Sequence, residues 1–211
     1  KQQNLINNSF SMNFHYFTKT YSGTWWSAEQ CTAIDSLRYV AENYKESPIY
    51  NAILSSTTYA MAYSGIGTGH YAQFRDPKSP SNVKNILLYR RKDTFKIFIR
   101  KMSEILKWLP ERPSPFNHTI SAKDYLECIK DVKDGSVVYA DPPYCFVHYS
   151  RFYHALETLV LYDQPDLQIK RGKIVKGRYR SERHQSPFCI QSQVKSAFNK
   201  LFRVANSKNL K

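Results

Sequence analysis

Val137-Val138-Tyr139-Ala140-Asp141-Pro142-Pro143-Tyr144 decides the reading of this chain. The first four residues are a compact, β-prone run of the kind expected in a buried parallel strand. Open α/β sheets bind ligands at the carboxyl ends of such strands, where Asp141 stands. Two prolines fix φ and lack N–H donors, so the loop is stiff and presents carbonyls. The exocyclic amine of a nucleobase is a poor nucleophile, because its lone pair is delocalised into the ring. A carboxylate oxygen and a backbone carbonyl that accept both amine hydrogens favour a more tetrahedral, more nucleophilic nitrogen. Tyr144 then offers a face on which a flipped base can stack. The competing reading is a turn, since Asp-Pro-Pro opens a loop at any strand end. The apolar strand before it favours catalysis.

Working outward, a helix is expected from Tyr149 to Tyr162, a basic loop or hairpin over 168–190, and a last helix from Gln191 to Ala205. Upstream, Asn117–Ser121 reads as a short strand, Lys123–Lys130 as a short helix and Asp134-Gly135 as a turn. The first half is mostly helical. Ser27 with Gln30 forms a capping box, followed by Ile34, Leu37, Val40 and Ala41 on one face. Pro48 opens a second helix, which Thr57-Thr58 weakens and Gly65, Gly67 and Gly69 end. Residues 75–86 are loop-like. A third helix runs from Thr94 to Leu109, with Phe95, Phe98, Ile99, Met102, Ile105 and Leu106 as its apolar stripe. Tyr21, Trp25 and Trp26 read as anchors of this helical part. The expected fold class is α/β, a partial doubly wound, Rossmann-like sheet with a helical subdomain. The expected division is a helical region over 1–115 and part of a catalytic domain over 116–211.

The 211 residues carry a formal charge of +14. A folded chain this basic meets a polyanion, with nucleic acid ahead of an anionic membrane. The sharpest concentration is Lys170-Arg171-Gly172-Lys173-Ile174-Val175-Lys176-Gly177-Arg178-Tyr179-Arg180, with Arg183 beyond it. Phosphate contacts from these cations would supply affinity rather than sequence choice. The alternative is a solvated loop. Cys31, Cys128, Cys145 and Cys189 form no close pair of the zinc-binding kind. No apolar run reaches transmembrane length, and the histidines have no ligand-like spacing, so no metal site is expected. His154 and Glu157 sit one helical turn apart, as a packing or hydrogen-bonding pair.

Val138-Tyr139-Ala140-Asp141-Pro142-Pro143-Tyr144 resembles motif IV of the amino-methyltransferases that act on DNA adenine. His148-Tyr149-Ser150-Arg151-Phe152-Tyr153-His154-Ala155-Leu156-Glu157-Thr158 resembles the helix opening that follows it in one adenine-specific DNA methylase family. Tyr16-Phe17-Thr18, Ile34-Asp35-Ser36-Leu37-Arg38, Gly69-His70-Tyr71-Ala72-Gln73-Phe74 and Ser186-Pro187-Phe188-Cys189 are similar to further markers of that family. The resemblance covers most of residues 14–205, and motif IV alone is specific for the chemistry. It implies an S-adenosylmethionine-dependent methyltransferase fold and transfer of a methyl group to a flipped adenine. It implies that Asp141 and the Pro142 carbonyl accept from the target amine, that Pro143 stiffens the loop, and that Tyr144 stacks on the base. S-adenosyl-L-methionine is the implied cofactor, with Asp141 beside it and Asp124 accepting from its adenine amine. For Asp124 the alternative is a solvated helix-start residue. Double-stranded DNA is the implied partner, in the cytoplasm of a prokaryote or encoded by a phage, within a restriction-modification or defence system.

Methyltransferases of this type also carry a glycine-rich cofactor loop. Tyr63-Ser64-Gly65-Ile66-Gly67-Thr68-Gly69 imitates it, but follows a helix rather than a strand, so it reads as a helix stop. Lys1 and Lys211 both read as cuts through a longer protein, which puts the expected cofactor loop before residue 1 or on another chain. The competing function is therefore a DNA-binding, methyltransferase-like subunit that is inactive alone. An RNA or protein-glutamine methyltransferase is a third, disfavoured by Asp141 where those enzymes carry Asn.

Overall fold

The computed structural model describes residues 14–67, 70–73, 75–111, 114–143 and 148–211. It divides into two compact units. The first comprises the described residues of 1–113 with Arg151–Glu182, the second Ser114–Ser150 with Arg183–Lys211. The expected division at 115/116 differs from this one in the segment 151–182, which packs with the helical unit.

In the first unit, α1 (Tyr16–Tyr21) is followed by α2 (Ala28–Glu42), α3 (Ile49–Ser64), α4 (Pro80–Arg90) and α5 (Thr94–Glu111). The capping box at the start of α2 is present in both directions. Gln30 N–H donates to Ser27 Oγ at 3.2 Å, and Ser27 N–H to Gln30 Oε1 at 2.9 Å. The Gln30 amide also donates to the carbonyls of Tyr89 and Lys92, both at 2.9 Å, so the cap secures the end of α4. α3 runs unbroken through Thr57-Thr58, because the buried Thr57 hydroxyl donates to the Ile53 carbonyl at 2.8 Å within the helix.

Three expectations are corrected here. Residues 80–86, expected to belong to a loop-like stretch over 75–86, are part of α4. Ser79 accepts from Asn82 N–H at 3.2 Å and Pro80 occupies the first turn, a start signal that the surrounding serines and prolines obscured. In α2, Val40 is exposed, while Asp35 and Arg38 turn inward with Ile34, Leu37 and Ala41. In α5, Phe98 is buried, whereas Phe95, Ile99 and Leu106 are exposed.

The first unit's core is aromatic. Phe17, Tyr21, Trp25 and Trp26 are buried with Ile34, Met61 and Leu159. Tyr21 and Trp26 meet edge-on, with centroids 6.0 Å apart. The Asp35 carboxylate accepts from Phe17 N–H, Thr18 N–H, the Thr18 hydroxyl and the Tyr162 hydroxyl at 2.5–2.9 Å. It thereby caps the first turn of α1 from a neighbouring helix, serving donors that α1 cannot satisfy itself.

The second unit holds α6 (Tyr125–Asp131), a 3₁₀ turn at Pro187–Cys189 and α8 (Val194–Ser207); α7 (Tyr149–Leu161) leads from it into the first unit. The expected strand at 117–121 is not formed, and neither is the buried parallel strand at 137–140. Val137 and Tyr139 are 79% and 90% exposed. Val138 N–H donates to the Lys211 carbonyl at 2.9 Å and Lys211 N–H to the Ser136 carbonyl at 3.0 Å, the slanted bonding of a parallel pair. A parallel strand is buried only between neighbours, and among the described residues this run has Lys211 alone. The described strands are β1 (Ile169–Lys170) and β2 (Lys173–Ile174), an antiparallel pair in the first unit. Among the described residues, then, no doubly wound sheet is seen. No helix of these residues is long and apolar enough to cross a membrane.

Candidate active site and DNA interface

Asp141, Pro142 and Pro143 border a cavity of about 460 Å³ in the second unit. Asp141 is exposed and the prolines are half-buried. The opposite walls come from α6 and the 3₁₀ turn: Tyr125, Ile129, Phe188 and, from α8, Leu201. Tyr125 meets Phe188 at 5.0 Å between centroids and 66°, and Phe188 meets Phe198 at 5.0 Å and 77°. These edge-to-face pairs hold Tyr125 and Phe188 as firm apolar walls. Pro187 starts the 3₁₀ turn and Ser186 accepts from Phe188 N–H at 3.4 Å, which fixes the turn that delivers Phe188. The cavity suits a flat, largely apolar ring with a polar edge turned toward Asp141.

Asp124 does not line this cavity, although Lys123 and Tyr125 on either side of it do. Its Oδ1 accepts from Leu126 N–H at 2.9 Å, making Asp124 the N-cap of α6. Lys123 pairs with Asp131 at 2.7 Å across the same helix. Tyr144 lies outside the described residues, as do Cys145, Thr68, Gly69 and Phe74. Tyr125 and Phe188 had no assigned role in the sequence reading. The available signals were an aromatic directly after a capping Asp, and an aromatic inside Ser186-Pro187-Phe188-Cys189.

The imitation cofactor loop packs as a helix end. Gly65 N–H donates to the Met61 carbonyl at 2.9 Å, and Ile66 N–H to the Trp25 carbonyl at 3.1 Å. A Cβ on Gly65 would stand 2.9 Å from Trp26 Nε1, so the glycine is required by the indole behind it. Among the described residues, no group of three or more His, Cys, Asp or Glu is placed to hold a metal ion.

The basic stretch is a hairpin with a bulge. Its stem joins Leu167 to Arg180 and Gln168 to Tyr179, while its tip pairs Ile169 with Ile174 and Lys170 with Lys173. Between stem and tip, Lys176-Gly177-Arg178 leaves the ladder. Trp25 Nε1 donates to the Gly177 carbonyl at 2.9 Å, and Lys176 pairs with Asp76 at 2.6 Å, so the bulge is latched to the helical unit. Lys170, Arg171 and Lys173 are exposed at the tip, where Arg171 and Gly172 both have positive φ, as a two-residue turn of the primed type requires. Arg178 is half-buried. Arg180 is 8% exposed and holds Asp163 with both guanidinium ends, with Glu157 at 3.7 Å. Asp163 raises the Arg180 pKa above its ordinary value, and the guanidinium lowers that of Asp163. The hairpin therefore does not present all these cations on one surface: Arg180 turns into the first unit, and Arg183 belongs to the second.

α7 carries His154 into the aromatic core, fully buried. Its Nε2–H donates to the Tyr71 carbonyl at 3.3 Å, which leaves Nδ1 to accept from the Tyr21 hydroxyl at 3.3 Å. Burial pushes its pKa down to about 4, so the imidazole is neutral. It is a core residue; Glu157, one turn on, faces Arg180 instead.

The family described as D12 class N6 adenine-specific DNA methyltransferase matches residues 7–209. Among characterised proteins, 72 residues are 39% identical to the modification methylase LlaI of Lactococcus lactis subsp. lactis, covering 34% of this chain and 11% of that one. A further match is the type II methyltransferase M.FokI of Planomicrobium okeanokoites, 37% identical over 76 residues, 36% of this chain and 11% of that one. No solved structure matches the chain.

Proposed function

Since the chain belongs to the D12 class N6 adenine-specific DNA methyltransferases, we propose that it carries the catalytic loop of an enzyme that methylates the exocyclic amine of a flipped adenine in DNA. One observation carries this reading: Asp141-Pro142-Pro143 borders a ring-sized cavity whose other walls are the apolar groups Tyr125, Ile129, Phe188 and Leu201. In this reading Asp141 and the Pro142 carbonyl accept the two amine hydrogens, and Tyr144 stacks on the extruded base. S-adenosylmethionine, when bound, supplies an electrophilic methyl on a sulfonium. Of the residues here, Asp141 would supply the negative charge that complements that sulfonium. Asp124 sets the start of α6, and its second oxygen would be the acceptor for the cofactor's adenine amine. Pro143 keeps the loop from relaxing. The finer fold in this reading is a partial doubly wound sheet to which the extended run 137–140 belongs, bonded in parallel fashion to Lys211.

Double-stranded DNA is the proposed substrate. Lys170, Arg171, Lys173, Lys176, Arg178 and Arg183 are its phosphate contacts, with Arg180 holding the hairpin to the helical unit. The names of the two relatives support pairing with a restriction function in a prokaryotic or phage-encoded system. The helix-stop packing of Gly65 supports a second reading, a DNA-binding subunit whose cofactor loop comes from elsewhere. Expression of the full-length protein in cells lacking adenine methylation, followed by sequencing for N6-methyladenine, separates the two. Methylation at a defined site, lost in Asp141→Ala, supports the enzyme. Unmethylated DNA with intact duplex binding supports the subunit.

A further inference from the structure

A second cavity opens in the first unit, on the inner side of the hairpin. It measures about 870 Å³, within the roughly 300–1,000 Å³ range of small-molecule sites. One wall is apolar, formed by the cross-strand pair Ile169 and Ile174, which remain 66% and 46% exposed. The facing wall is α1, with the Tyr16 side chain and Lys19. Gln164 and Arg178 also line it, and both hold φ near +50°, a backbone region that residues other than glycine rarely occupy. Such conformations persist where surrounding structure enforces them and gather at ligand clamps. For Arg178 the enforcement is visible. Arg178 N–H donates to the Val175 carbonyl at 2.8 Å, and Ser181 N–H to the Asp166 carbonyl at 2.7 Å. Asp166 is on the lining as well, beside Lys19 and Arg178.

We propose that this cleft is a second DNA subsite that receives an unpaired nucleotide, its base against Ile169 and Ile174 and its phosphate between Lys19 and Arg178. The proposal rests on the DNA-methyltransferase reading. An exposed pair of isoleucines collared by Lys170, Arg171 and Lys173 is a poor surface to leave in water. It is a good one to press on the face of a base, since apolar wedges of this kind unstack base steps. Extruding an adenine leaves its partner unpaired, so base flipping itself produces the nucleotide that the cleft would hold.

The test compares the full-length protein's affinity for a fully paired duplex with that for the same duplex carrying a one-nucleotide bulge. The expected wild-type preference for the bulge is about tenfold, in line with stacking of one base. Ile169→Ser with Ile174→Ser removes the preference and leaves duplex affinity within about twofold, as phosphate contacts are untouched. Ile169→Phe, with a larger flat face, keeps or raises it, which separates a lost stacking surface from a misfolded hairpin. Lys173→Ala weakens both probes alike. An unchanged preference in the double variant overturns the subsite while the DNA reading stands. Failure of the wild type to bind either probe overturns both.

Discussion

Asp141 meets, in the proposed chemistry, only the target amine and the cofactor's charge, so Asp141→Ala is expected to lower methyl transfer at least about 100-fold. Duplex affinity measured by fluorescence anisotropy is expected to stay within about threefold, because phosphates supply most of it. Arg180 gives the opposite pattern. Its guanidinium is nearly buried and doubly engaged by Asp163, which is itself 40% exposed and therefore partly screened. Arg180→Ala leaves Asp163 without its guanidinium partner, an expected loss of about 1–3 kcal/mol in urea denaturation. The salt slope of DNA binding should not change. His154 adds a pH dependence whose sign follows from its neutral burial. The unfolded imidazole titrates near 6.5 and the folded one at about 4. Stability from this group is therefore full above pH 6.5 and is lost as pH falls from there toward 4, by up to about 3 kcal/mol. Urea melts at pH 7 and pH 5 read this loss. His154→Gln, which does not titrate, should show a smaller difference between the two.

The hairpin is the element whose composition and geometry part company. Six cations from Lys170 to Arg180 read as one basic surface, but the bulge at Lys176-Gly177-Arg178 shifts the register between stem and tip. Its anchors, Trp25 and Asp76, lie about a hundred residues or more away in sequence, so no local pattern announces it. Replacing Lys170, Arg171 and Lys173 with Ala is expected to lower the slope of log affinity against log salt by about 2–3. Adding Arg180→Ala to that variant should lower it no further. Gly177 is held by close approach: a Cβ there would stand 2.3 Å from Tyr179 Cζ. Tyr179 is itself fixed by its hydroxyl, which donates to the Ala72 carbonyl at 2.6 Å. Gly177→Ala is expected to destabilise the protein by about 1–3 kcal/mol through overpacking, read as a lower urea midpoint. Among the helices, α2, α3, α5 and α7 were legible from caps and apolar period. α4 was not, because a Ser-Pro start inside a run of serines and prolines has the composition of a loop.

At the scale of the whole molecule, hydrogen exchange followed along the chain should separate the well-packed from the poorly covered. Amides of α2, α3 and α7, which enclose the aromatic core, are expected to exchange slowest. Those of 114–123 and 139–140, which belong to no described ladder, should exchange fastest. Uniform protection across both sets would contradict the two-unit division. The family was legible without coordinates, because Asp-Pro-Pro-Tyr after a β-prone run is a local signal whose meaning rests on residue type and order. The helix caps were legible for the same reason, since a capping box closes within four residues. What tertiary structure decided involves partners distant in sequence. It set Tyr125 and Phe188 as the walls facing Asp141, and turned Arg180 inward to Asp163. It buried Asp35 as the cap of another helix, and left 137–140 extended and uncovered. A strand's burial and a cation's partner depend on what folds against them, and the order of residues along the chain does not carry that information locally.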